Sequence, residues 1–94
     1  MSEEISGSFV PTLAATFRFQ WEEAQDCFVI LYPEGMVKLS QSAGAIMEQC
    51  DGQRSVDDII AALNEKFPGI ELTQDVFNFL KQAKQNGWIK DGTN

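Results

Sequence analysis

The sequence predicts an α+β domain in which a three-stranded antiparallel β-meander precedes three α-helices. Three observations carry this reading. Before Ser40 the apolar residues alternate or run continuously, and after it they recur at helical spacing. Short polar turns separate the strand-like segments, which favours hairpins over crossovers. Ser40, Ser55 and Thr73 stand where helices would start, and Gly52, Gly69 and Gly87 where they would stop.

Met1 to Ser8 is polar and acidic and is expected as a flexible tail, with the folded domain over residues 9–90 and a polar end over 91–94. Phe9, Val10, Pro11 and Leu13 form an extended lead-in suited to lying along a neighbouring surface. Phe17, Phe19 and Trp21 share one face of the first strand, with Arg18 and Gln20 on the other. Glu22 to Asp26 is a polar turn. Cys27–Tyr32 is continuous apolar strand and the centre of the meander, Pro33-Glu34-Gly35 breaks it, and Met36–Leu39 is the third strand. Ser40 or Ser42 caps a short helix with Ala43, Ile46, Met47 and Cys50 on its stripe, ended by Asp51-Gly52. Ser55 caps a second helix, whose early aspartates Asp57 and Asp58 suit the positive end of the helix dipole. Its stripe is Val56, Ile59, Ile60, Leu63 and Phe67. Thr73 caps a third helix reaching Gln85, and Trp88-Ile89 adds a brief strand.

At about 100° per residue, Val76, Phe79, Leu80 and Ala83 fall on one arc of the third helix. Phe77 lies at the edge of that arc, with Lys81 and Lys84 on its side. Two readings of Phe77 stand: a core residue among solvated lysines, or an aromatic presented beside the core. The central strand raises a second question. Neither Cys27, Val29 and Leu31 nor Phe28, Ile30 and Tyr32 is a polar set, whereas a sheet with helices on one side normally turns a polar face to water. The second face calls for a cover: the Phe9–Leu13 lead-in, another protomer or a partner protein.

Composition excludes much. The 94 residues make one domain, with hydrophobic residues at 44% and charged ones at 22%, as in globular chains. Lys+Arg is 7 against Asp+Glu 14, a net charge of −7 that opposes capture by nucleic acid or an anionic membrane. No apolar run approaches the ~20 residues that span a bilayer, and the acidic opening is unlike a secretory signal, so the chain is read as cytoplasmic. Without histidine there is no Ser–His or Cys–His nucleophile pair and no His-ligated metal. Cys27 and Cys50 are too few for a Cys₄ cluster and are not a CxxC pair, which leaves them as buried free thiols. No cofactor and no catalytic residue is expected. Arg54 is expected to pair with Asp51 or Asp57, and Trp88 to plug the core beneath the second and third helices.

Three strands, three helices and a final β-segment describe a winged-helix-like domain, an architecture usually met in DNA binders; only Arg18 and Arg54 are arginines, and no helix carries a basic row. A more specific resemblance is carried by several segments in order. These are Leu13-Ala14 with Phe17-Arg18-Phe19, Leu31-Tyr32-Pro33-Glu34-Gly35, Val37-Lys38-Leu39 and Ser42-Ala43-Gly44-Ala45-Ile46. Cys50-Asp51-Gly52, Arg54-Ser55-Val56-Asp57-Asp58-Ile59-Ile60 and Gly87-Trp88-Ile89 complete them. Over about four fifths of the chain the sequence resembles the PqqD family of pyrroloquinoline quinone (PQQ) biosynthesis. Ser40 departs from the asparagine common there, and either residue caps a helix.

The resemblance implies a peptide-binding module of the RiPP recognition element type. Such a protein would bind the ribosomally made precursor PqqA and present it to the radical SAM enzyme PqqE for Glu–Tyr cross-linking. It also implies a guest strand held between the third strand and the third helix. The residues suit that mode. Met36, Val37, Lys38 and Leu39 form a sheet edge with backbone groups to offer. Val76, Phe77 and Leu80 supply a helical wall, and Lys38, Lys81 and Lys84 favour an acidic guest residue. A monomer and a homodimer are both compatible with this arrangement.

Overall fold

A computed structural model describes residues 5–92 of the chain. In chain order the elements are β1 (Pro11–Leu13), β2 (Arg18–Glu22), β3 (Cys27–Tyr32), β4 (Gly35–Lys38), α1 (Gln41–Glu48), α2 (Val56–Lys66), α3 (Thr73–Gln85) and β5 (Ile89–Asp91). The expected α+β order is present: β2, β3 and β4 form an antiparallel meander with β3 in the middle, followed by the three helices. The alternation of Arg18–Trp21 is realised by the register, which sets Phe19, Ile30 and Val37 in one row across the sheet. On that face Phe19 stacks on Phe28 with ring centroids 4.7 Å apart, and Trp21 meets Phe28 edge-on at 5.2 Å.

The helices close over this face. Ser40 caps α1, its hydroxyl accepting from the Ala43 amide at 3.2 Å, so Ser42 is not the cap. A Cβ on Gly44 would stand 2.9 Å from the Phe28 ring, so the absence of a side chain there lets α1 lie directly on β3. Ser55 and Asp58 form a reciprocal capping box at the start of α2. Thr73 is the first residue of α3 and not its cap; Leu72 occupies the cap position, and the Thr73 amide donates instead to Glu71 Oε1 at 2.9 Å. At the other end Gly87 takes φ +79°, the left-handed turn that lets the Trp88 amide reach back to the Ala83 carbonyl at 2.9 Å. The core joins Ile30 and Leu39 of the meander region to Ile46, Met47, Val56, Ile59, Leu63, Val76, Leu80, Ala83 and Ile89. Each Val, Leu, Ile or Met side chain among these contributes about 1.5–3 kcal/mol by leaving water, and Ala83 less. Phe79, placed on the core arc by its spacing, is only half-buried and tilts against Trp88, with ring centroids 6.4 Å apart.

The lead-in differs from expectation. Pro11–Leu13 does not cover the second face of the meander; it pairs antiparallel with Ile89–Asp91 in a separate two-stranded sheet, and β5 runs beyond the expected Trp88-Ile89. The other margin of β1 is occupied as well. The Gly52 amide donates to the Pro11 carbonyl at 3.0 Å, and Thr12 bridges to Asp51. Pro11 has no amide to lose at this crowded margin. The preceding residues run along the start of α2, where Val56 donates to the Phe9 carbonyl (2.8 Å) and Asp57 to that of Gly7 (3.0 Å). Met1–Glu4 and the last two residues, parts of the expected tails, lie outside the described residues.

Candidate functional site

Among the described residues β4 pairs with β3 alone, and its other margin has no strand beside it. Which backbone groups point there follows from the ladder. The Leu39 amide donates to the Phe28 carbonyl at 3.0 Å, which makes Phe28 and Leu39 a hydrogen-bonded pair. Antiparallel pairs alternate, so Val37 also bonds to β3, while the N–H and C=O of Met36 and Lys38 point to the free margin. The side chains alternate too. Val37 and Leu39 turn to the core, whereas Met36 (42% exposed) and the exposed Lys38 lie on the far face of the sheet.

That far face is built from two rows: Arg18, Leu31 and Met36, then Gln20, Val29 and Lys38. It is the apolar second face noted in the sequence. On it Val29 is fully buried, Leu31 is half-buried, and Met36 and Lys38 are exposed.

The helical wall is narrower than the sequence suggests. Val76 and Leu80 have no exposed surface, and Leu39 is 6% exposed; all three belong to the core, so a guest cannot touch them without displacing it. Phe77 is half-buried against the core cluster and Lys81 is exposed. Lys84 faces elsewhere than expected. Its Nζ sits 5.3 Å from the centroid of Phe9, a cation–π contact with the chain's own N-terminal segment. The sequence offered no signal for that contact, because Phe9 lies in a stretch with no periodicity.

Two cavities lie beside α1. One of about 310 Å³ is enclosed by Ala45, Ile46, Leu63, Phe67, Ile70 and Leu72, and Ile70 is 55% exposed at its mouth. A second of about 530 Å³ shares Ala45 and Phe67 and reaches Trp21 and Leu39. Phe67 was legible as the last residue of the α2 stripe; Ile70 carried no pattern.

The remaining sequence candidates are structural. Asp51 accepts from the Gln53 and Arg54 amides at 2.9 and 3.2 Å, and the Arg54 guanidinium stands 3.8 Å from its carboxylate and bonds Gln49. The Gln53 amide first, then Arg54, hold the Asp51 carboxyl below its ordinary range. Cys50 donates to the Ile46 carbonyl, and burial with the nearby Asp51 charge pushes its thiol up to about 12, so it stays neutral and unreactive. Both cysteines are free thiols. No group of metal-ligating side chains occurs among the described residues.

A family model described as coenzyme PQQ synthesis protein D (PqqD) matches residues 27–89, from β3 into β5. The chain belongs to the PqqD family. A protein of Azotobacter vinelandii named PqqA binding protein is 56% identical over 84 residues, covering 86% of this chain and 89% of that one. The protein of the same name from Acinetobacter baylyi is 50% identical over 80 residues, covering 84% and 81%. The fold is similar to the solution NMR structure of the PqqD truncation of Methylobacterium extorquens PqqCD, described as a stand-alone RiPP recognition element. The TM-score is 0.79 at 26% identity, over 96% of this chain and 99% of that one. These relatives are binding proteins rather than catalysts, and none supports the DNA-binding reading. No described helix is long and apolar enough to cross a membrane.

Proposed function

We propose that this chain is an adaptor in PQQ biosynthesis that takes up the precursor peptide PqqA along β4 and presents it to the radical SAM enzyme PqqE. The observation that carries the reading is the free β4 margin, with the Met36 and Lys38 backbone groups directed outward, in a chain 56% identical to a PqqA binding protein. Backbone pairing fixes the guest in extended form, and side chains choose it. Met36, Val37 and Lys38 meet the guest from the strand, and Phe77 and Lys81 from α3. Leu39, Val76 and Leu80 brace these from the core, and Lys84 borders the wall through Phe9. Apolar guest side chains contribute about 1.5–3 kcal/mol each, against about 0.2–1 kcal/mol for an exposed ion pair, so burial dominates affinity.

The adaptor performs no chemistry; PqqE brings the iron–sulfur clusters and SAM. A ribosomally made precursor places the encounter in the cytoplasm. One β4 margin per guest suffices, in a monomer or a homodimer alike.

Titration of PqqA peptide into isotope-labelled protein tests the site. The largest amide shifts are expected over Met36–Leu39 and the Phe77 side of α3. The margin of β2 is also unpaired among the described residues, so shifts centred on Arg18–Glu22 would move the guest there. Shifts centred on Ser55–Asn64 would refute a strand-edge site. Retention of PqqE by the immobilised adaptor should rise when PqqA is added; equal retention without peptide would argue against presentation.

A further inference from the structure

We propose that β4 selects its guest by register: the paired strand carries an acidic side chain beside Lys38, an apolar one beside Met36 two positions away, and an inward apolar residue between them next to Val37. This rests on the strand-edge reading above and specifies the sequence class that such an edge accepts. The direction of the guest strand is not needed for the argument, since the triplet reads acid–apolar–apolar one way and apolar–apolar–acid the other.

The geometry assigns each position. Met36 and Lys38 direct both their free backbone groups to the margin and their side chains to the far face, so in either strand direction the guest residues opposite them lie alongside with side chains on that same face. A guest residue beside Met36 extends the row Arg18, Leu31, Met36, whose two nearest members are apolar, and covers surface that Met36 leaves 42% exposed. A guest residue beside Lys38 extends the row Gln20, Val29, Lys38. There the ammonium group is exposed and forms no ion pair among the described residues. The chain as a whole carries −7, so a local cation without a carboxylate partner on the open margin discriminates among guests. The inward residue meets Val37, half-buried over the core. Lys84 cannot serve as the charge reader in this arrangement, since it stands over Phe9. The competing account is that Lys38 guards an exposed edge against self-pairing, a common use of lysine; in that case any charge at the position would serve.

The test is a binding titration of PqqA peptide and of variants in which each of its acidic residues in turn is replaced by lysine. Lys38→Glu should weaken PqqA about tenfold, through a lost attraction and a new repulsion. One lysine variant of the peptide should bind Lys38→Glu at least threefold better than PqqA does, by the same pair term. Lys90→Glu on β5 makes the same change in net charge and should alter affinity less than about twofold. Met36→Thr should cost about threefold. Circular dichroism confirms that each variant is folded. Lys38→Glu binding within twofold of the parent, or no peptide variant rescuing it, overturns the proposal and leaves the strand-edge site intact. If the unmodified protein fails to bind PqqA at all, the adaptor reading falls first and this assignment with it.

Discussion

The two sheets of this molecule treat their margins in opposite ways. In the two-stranded sheet, β1 has β5 on one side and Asp51–Gly52 on the other, and the Gly92 amide closes its start on the Val10 carbonyl at 2.6 Å. In the meander, β4 ends the sheet, and among the described residues the outward groups of Met36 and Lys38 have no strand opposite. The sealed sheet ties both ends of the domain to the loop between α1 and α2. The open one has the core behind it and, among the described residues, leaves the outward donors and acceptors of β4 without a strand partner. A free margin normally invites aggregation, and this one is short and carries a lysine, two of the usual protections. On the proposed reading stability and recognition fall to different sheets, and that division can be broken experimentally.

The largest effect belongs to the sealed side. Ile89 is 4% exposed in the core, and Ile89→Ala should lower unfolding free energy by about 2–5 kcal/mol in a denaturant titration. The folded fraction should bind PqqA with unchanged affinity; a matching loss of affinity would show that the two sheets are not independent. On the open side the order reverses. Lys38→Pro removes an outward donor without touching the β3 ladder, so peptide affinity should fall more than about tenfold while stability changes by less than about 1 kcal/mol. If Lys38→Pro unfolds the domain instead, its amide serves the fold and the alternation is misassigned.

Phe77→Ala sharpens the boundary between the two roles. Half-buried against the core, Phe77 should cost about fivefold in PqqA affinity with a smaller loss of stability, by the same burial argument. Equal losses would return it to the core. The smallest effect is a pH effect at the sealed sheet. The Asp51 carboxyl is held low by the Gln53 amide and Arg54, so its contribution is present above the ordinary aspartate range near pH 3.9 and is lost as pH falls through its folded value. Thermal melts should show the parent losing more stability on acidification than Asp51→Asn does.

Much of this was legible in the chain because local signals agreed. The period-two run from Arg18 to Trp21 set the face of β2, and Ser55 followed by Asp57 and Asp58 announced the start of α2, which the structure completes as a capping box. The β1–β5 pair was not, because Pro11–Leu13 has no alternation and its partner lies at the opposite end of the chain. The helical wall was half legible. The wheel put Leu80 on the core arc, where packing buries it completely, but left Phe77 open between core and rim; the structure half-buries it against the core. Lys84 likewise has the right angle on α3, and the position of Phe9, fixed by the Val56 amide, decides where it points.

The margin itself is tested most directly by amide hydrogen exchange at Met36 and Lys38 with and without PqqA. In the free protein both should exchange rapidly, while Val37 and Leu39, bonded to β3, are protected. Saturating peptide should slow both outward amides at least about tenfold and leave Thr12 and Lys90 of the sealed sheet unchanged. Unchanged exchange at Met36 and Lys38 in a peptide-saturated sample would contradict strand addition at β4.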